Sequence, residues 1–202
     1  LRATTFAYEP CTAQLTTNGK ADNTVNVRGT ATCNSFSSYR LSYNGVTVAE
    51  SSIPVIDDIL GVLDTTTLDD GMYILKLEVS DTLGNVYEDN SVIIVQNFEL
   101  LGVGNALNYL KGSEAVRGRI HLANYQAYKV QYQPENSGTW QDACFVNGVA
   151  ASDILCTIDV SSFPEGIYYF RISALKNNKL VSSKPLKTAV FRSLIDGWPV
   201  EI

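Results

Sequence analysis

Leu68-Asp69-Asp70-Gly71-Met72-Tyr73, continued by Leu75, Leu77 and Val79, decides how this chain is read, because it comes back. Phe163-Pro164-Glu165-Gly166-Ile167-Tyr168 opens the same way, and Phe170, Ile172 and Ala174 follow it at the same spacing. In both places a glycine lets the chain turn, and a tyrosine then enters a segment that puts every second side chain on one apolar face. Period-two alternation is the mark of a strand with one buried side.

Working outward, Asp64, Leu68, Gly71, Tyr73 and Lys76 return as Asp159, Phe163, Gly166, Tyr168 and Arg171, an offset of 95 residues. Upstream, Val27-Arg28-Gly29, Phe36, Tyr39, Leu41 and Tyr43 return as Val116-Arg117-Gly118, Tyr125, Tyr128, Val130 and Tyr132, an offset of 89. A repeat of that length is a whole small domain, so the chain reads as two tandem copies, residues 1–97 and 98–202. Each is large enough to bury a core of its own. No Pro-, Ser- or Gly-rich tether separates them at Gln96-Asn97-Phe98, which predicts a semi-rigid pair.

Alternation continues almost everywhere, and no segment carries a helical stripe, so the fold class is all-β. Val25, Val27, Ala31 and Cys33 share one face, matched by Val116, Ile120 and Leu122. Gly29 and Gly118 fall mid-strand at equivalent places, where glycine marks a bulge or a close backbone approach. The next strand turns Tyr39, Leu41 and Tyr43 inward with Arg40 and Ser42 outward; its counterpart turns Tyr128, Val130 and Tyr132 inward with Lys129 and Gln131 outward. Asn44-Gly45 supplies a tight hairpin. The second copy replaces that turn with Pro134 to Gly138 and a longer region holding Trp140, Cys144 and Cys156.

Composition narrows the function classes. Hydrophobic residues make up 45% against 18% charged, which is a folded protein and not a disordered one. The net charge of −6 argues against a nucleic-acid backbone as ligand, since that binding needs gathered Lys and Arg. No apolar run approaches the roughly eighteen residues of a membrane-spanning helix. The chain starts at Leu1 with no initiator Met and no basic-then-apolar leader, which is expected of a processed protein or a piece of a longer one.

The four cysteines fall as Cys11 with Cys33 and Cys144 with Cys156, one pair in each copy. Four cysteines allow three connectivities, and only this one keeps the copies independent. Zinc is the rival reading, without a Cys-x-x-Cys pair to support it. Disulfides persist mainly outside the cytosol, so an extracellular or cell-surface location follows.

Candidates for chemistry are few. His121 is the only histidine, expected to face solvent between Ile120 and Leu122, and no Gly-x-Ser-x-Gly nucleophile turn accompanies it. Carboxylates occur at Asp57-Asp58, Asp69-Asp70, Glu88-Asp89, Asp64, Asp81, Asp153 and Asp159, with no sign of the paired cleft that a glycosidase needs. Asp69, Asp70 and turn carbonyls offer oxygen ligands to calcium, though not at EF-hand spacing. Most of the eleven tyrosines fall on inward positions, which leaves Tyr87, Tyr109, Tyr169 and Trp140 as exposed candidates for a sugar platform. Phosphate loops, dinucleotide fingerprints, haem motifs and Asn-x-Ser/Thr sequons are all absent from the sequence. The expectation is a non-enzyme with no cofactor and no metal.

The passage Asp64 to Tyr73, with Leu75, Leu77, Val79, Asp81 and Gly84-Asn85, resembles the immunoglobulin-like or fibronectin type III-like repeats of large secreted and surface proteins in bacteria and archaea. The likeness covers Val25 to Asn97 well and Val116 to Phe191 less closely. It implies two tandem immunoglobulin-like β-sandwiches, with Tyr73 and Tyr168 as structural tyrosine corners, whose hydroxyls bond back to the preceding backbone. Gly197-Trp198-Pro199-Val200 is similar to the lead-in of FG-GAP-type propeller repeats, which implies a further domain beyond. What the resemblance implies for function is a non-enzymatic extracellular structural or assembly module: a stalk, a surface-layer or filament subunit, or a spacer of a larger secreted protein. Its partners would be proteins, including neighbouring domains of the same polypeptide or further copies pairing through an edge strand such as Thr4 to Tyr8. The alternative is a carbohydrate-binding accessory module of a secreted enzyme. Neither reading calls for nucleic acid or membrane insertion.

Overall fold

A computed structural model describes residues 9–104, 109–110 and 112–191, apart from the Tyr109 side chain. The segment Thr4 to Tyr8 and the motif Gly197 to Val200 lie outside the described residues. The chain divides into two compact units, one of Leu1–Thr65 with Gly71–Val95 and one of Thr66–Asp70 with Gln96–Ile202.

In the first unit, β1 (Thr12–Leu15), β3 (Thr24–Thr32) and β6 (Val55–Asp64) form a three-stranded sheet in the order β1-β3-β6. The strands β2 (Gly19–Ala21), β4 (Phe36–Tyr43), β5 (Val46–Ser51), β7 (Gly71–Asp81) and β8 (Val86–Val95) form a five-stranded sheet in the order β2-β8-β7-β4-β5. Among the described strands of this unit only β2 and β8 run parallel; the other pairs are antiparallel. Val27, Leu41, Leu75, Leu77 and Val79 are fully buried, so the alternating faces read from the sequence are the ones that meet in the core.

The second unit repeats that plan. Strands β9 (Phe98–Val103), β11 (Ser113–Ile120) and β14 (Ile154–Asp159) make the small sheet, in the order β14-β11-β9. The large sheet has the order β10-β17-β15-β12-β13, from β10 (Tyr109–Leu110), β12 (Ala127–Pro134), β13 (Gln141–Asn147), β15 (Gly166–Lys176) and β17 (Leu186–Val190); β16 (Lys179–Ser182) also pairs with β15. Again one pair is parallel, β10 with β17. Both units are therefore immunoglobulin-like β-sandwiches of one topology, and the only helical turn among the described residues is the short 3-10 segment Thr65–Thr67. Hairpins close where glycine and asparagine tolerate positive φ: Asn44 (43°) with Gly45 (81°), and Asn177 (50°) with Asn178 (62°).

Two expectations about facing needed refinement. Ser42 and Gln131 lie on the outer sides of their sheets as read, yet both are only 5% exposed. Over Gln131, Arg171 hydrogen-bonds to the amide and Trp140 stacks on Arg171, which period alone does not reveal. Tyr87, Trp140 and Tyr169, read as exposed, are all half-buried, and Tyr87 pairs in register with the core residue Val79.

Candidate functional site

The glycines read as bulge markers sit at a device built twice. Pairing of β3 with β6 shifts register after Val27, so that Leu60 is squeezed out of the ladder between Ile59 and Gly61. Pairing of β11 with β14 shifts after Val116 and squeezes out Leu155 in the same way. Each bulged leucine tucks its side chain against the glycine opposite: a Cβ on Gly29 would fall 2.8 Å from Leu60 Cδ1 and would overlap the Gln14 carbonyl oxygen. On Gly118 it would fall 3.1 Å from Leu155 Cδ1 and 2.7 Å from the Glu99 carbonyl oxygen.

A bulge leaves a carbonyl outside the ladder, and a buried carbonyl needs a donor. Tyr39 Oη donates to Leu60 O at 2.7 Å, and Tyr128 Oη donates to Leu155 O at 2.7 Å. Both bonds run from the large sheet to the small one and are buried, and burial pushes both phenols up from their ordinary acidity. Sequence reading placed both tyrosines inward but gave their hydroxyls no partner. The signal was present: Asp58-Ile59-Leu60 returns as Asp153-Ile154-Leu155, at the same offset of 95 as the turn motif.

Both cysteine pairs are disulfides, and no described cysteine is free. Cys11–Cys33 sits just beyond the Thr12 and Thr32 pair and prolongs the β1–β3 ladder within one sheet. Cys144 pairs with Val130 in the large sheet and Cys156 with Val116 in the small sheet, so their bond joins the two sheets at the edge strands β13 and β14. Tyr168 Oη donates to the Pro164 carbonyl, four residues upstream, at 2.9 Å. The Tyr73 ring packs edge-on against Tyr43 with centroids 5.9 Å apart.

The carboxylates read as calcium ligands are engaged by backbone. Asp69 Oδ1 accepts from Ser182 N at 2.7 Å, and Asp70 accepts from Asn97 N at 2.6 Å and Phe98 N at 3.3 Å. Burial pushes the Asp70 carboxyl up to about 6, with the Asn97 and Phe98 N–H groups pulling the other way. Asp81 accepts from Leu83 N, Asn85 N and Asn85 Nδ2, an Asx-type turn. Among the described residues, no three His, Cys, Asp or Glu side chains gather closely enough to hold a metal ion. His121 is exposed just beyond the end of β11, and its N–H donates to Asn97 O.

Two surfaces among the described residues offer groups to a ligand. On the first unit an open cleft of about 360 Å³ lies among Arg40, Ser42, Ile74, Lys76, Glu78 and Asn90. Its charges are mutually satisfied, with Glu78 2.6 Å from Arg40 and 3.0 Å from Lys76, which hold the Glu78 carboxyl below its ordinary range. A carboxyl held ionised in this way is poorly suited to general acid work near neutral pH.

On the second unit, Trp140 and Tyr169 lie on one outer face of the large sheet. The Arg171 guanidinium stacks 4.2 Å from the Trp140 ring centre, and Lys187 Nζ lies 5.9 Å from that of Tyr169. Beneath them buried Gln131 accepts from Arg171 Nε and Ser173 Oγ and donates to Asp142 Oδ1. Burial also draws the Arg171 guanidinium down from its usual basicity.

No family model and no curated protein matches the chain. Among solved structures it is similar to dimeric latent PorU from Porphyromonas gingivalis, at 14% identity over 91% of this chain and 20% of that one, with a TM-score of 0.39. It is also similar to the chicken CNTN1 FN1-FN3 domains, at 13% identity over 90% of this chain and 67% of that one, with a TM-score of 0.34. A third is the Bacteroides ovatus SGBP-B in complex with a mixed-linkage heptasaccharide, at 14% identity over 94% of this chain and 46% of that one, with a TM-score of 0.33. The chain spans a fifth of the PorU chain and less than half of the SGBP-B chain. Likeness at this level carries no argument about ligand or activity.

Proposed function

We propose that this protein is a non-enzymatic extracellular structural or assembly module, of the immunoglobulin-like kind found as stalks, surface-layer or filament subunits and spacers in bacterial and archaeal surface proteins. The observation that carries the reading is the duplicated tie. In both sandwiches a bulged leucine, a glycine and a tyrosine lock the two sheets together; in the second a disulfide also joins the sheets, and in the first a disulfide ties β1 to β3 within the small sheet. Polar groups that could have formed a reactive centre are turned to cohesion, which suits a part that transmits load. The two disulfides support the extracellular location.

Force spectroscopy on the oxidised chain tests this. Two abrupt unfolding steps are expected. Reduction should then lengthen one by about 80 Å and the other by about 40 Å, since the bonds close off separations of 22 and 12 residues. Gradual extension at low force with no discrete steps would contradict a load-bearing role.

A second reading, a carbohydrate-binding accessory module, is favoured by one observation, the placing of Trp140 and Tyr169 on a single sheet face. Each ring already carries a cation of its own chain, which leaves this reading second. Binding of soluble polysaccharides that is abolished in Trp140→Ala would promote it.

A further inference from the structure

The outer face of β7 and β8 carries two apolar cross-strand pairs, Met72 with Ile94 and Ile74 with Val92. Their side chains are 70%, 37%, 54% and 43% exposed in that order. Aligned rows of this kind make a flat patch of roughly 300–600 Å², the size of the largest patch on a typical monomer and often a working one.

The second unit acts as an internal control. At the equivalent strand positions it pairs Ile167 with Ala189 and Tyr169 with Lys187, and Glu135 closes over them, accepting from Tyr169 Oη at 3.3 Å and pairing with Lys187 Nζ at 3.0 Å. One topology is thus built with a polar cap in one copy and a bare apolar face in the other. The sandwich itself does not require that face to be apolar.

We propose that this patch on the first unit is a self-association surface whose occupant is the same patch on a second copy of the chain. The inference rests on the assembly reading and gives it a contact. Three features favour a like partner. A flat sheet face packs best on another flat sheet face. In a two-fold contact one patch serves both sides and needs no separate complement. The charges bordering it are paired among themselves, Arg40 with Glu78 at 2.6 Å and Lys76 with Glu78 and Glu88 at 3.0 and 2.8 Å, so an approaching copy meets a locally balanced rim. That rim matters for a chain whose net charge of −6 otherwise repels its own kind. Two such patches together bury about 1,000 Å², near the lower limit of specific interfaces, so the pairing is weak, with a dissociation constant on the order of 0.1 mM.

Sedimentation equilibrium of the chain from micromolar to millimolar concentration tests the proposal. The mass is expected to rise from 22.1 kDa towards twice that value. The double substitution Met72→Lys with Ile74→Lys should weaken association at least tenfold. Leu83→Lys, at an exposed turn position away from the patch, should leave it unchanged. If the double variant fails to fold, oxidation of Ile74→Cys should give a covalent dimer and Leu83→Cys should not. A wild-type chain that stays monomeric throughout, or association that survives the double substitution undiminished, overturns the pairing. Neither result touches the force measurement that tests the load-bearing role.

Discussion

Gly29 and Gly118 are the residues whose replacement has the clearest expected cost. A methyl group at Gly29 meets the Gln14 carbonyl and Leu60, and one at Gly118 meets the Glu99 carbonyl at 2.7 Å and Ile172 at 2.9 Å. Gly29→Ala and Gly118→Ala should each cost about 1–3 kcal/mol in denaturant unfolding, because backbone has to shift to admit the new atom. At Gly102 a Cβ meets nothing within 4 Å, so Gly102→Ala should stay within about 0.5 kcal/mol. Asp70 makes a prediction of a different kind. Its carboxyl is raised to about 6 in the folded chain, above the value of about 4 for an unfolded aspartate. The folded state therefore holds the proton more tightly, and the stability that this group contributes is full below about pH 4 and is lost as pH rises through 6. The stability difference between wild type and Asp70→Asn should vary between pH 4 and 7 and level off above; a difference constant with pH would refute the assignment.

At the scale of elements, strand identity was legible because one-sided burial enforces period two, as in Tyr73, Leu75, Leu77 and Val79. The bulged strands were less so. Leu60 and Leu155 are core residues whose neighbours break the alternation, and a bulge shifts which residues point inward. Gln131 was read as an outward polar residue, and its burial involves Arg171, forty residues away, with Trp140 stacked on that guanidinium. The disulfides were legible as pairs but not in their roles. Cys11–Cys33 extends one sheet, whereas Cys144–Cys156 crosses between sheets along the longer region of the second copy. Replacing Cys144 and Cys156 by serine should cost about 2–4 kcal/mol, seen as a lower melting temperature of the second unit alone. A loss spread equally over both units would contradict the local role given to that bond.

For the molecule as a whole, duplication was the strongest signal in the sequence, and the two units share one strand order and one set of internal ties. Function was far less legible, because no described cluster concentrates reactive groups and cohesion spreads its residues evenly along the chain. The central claim is that the repeated tyrosines serve cohesion and not binding or chemistry. Residues kept for cohesion destabilise when truncated, whereas residues kept for function often stabilise the fold when removed. Native-state hydrogen exchange of Tyr39→Phe and Tyr128→Phe makes the distinction most directly. Each substitution should lower protection by about 1–3 kcal/mol within its own unit, by leaving Leu60 O or Leu155 O buried without its donor. Unchanged or increased protection in either variant would contradict the account.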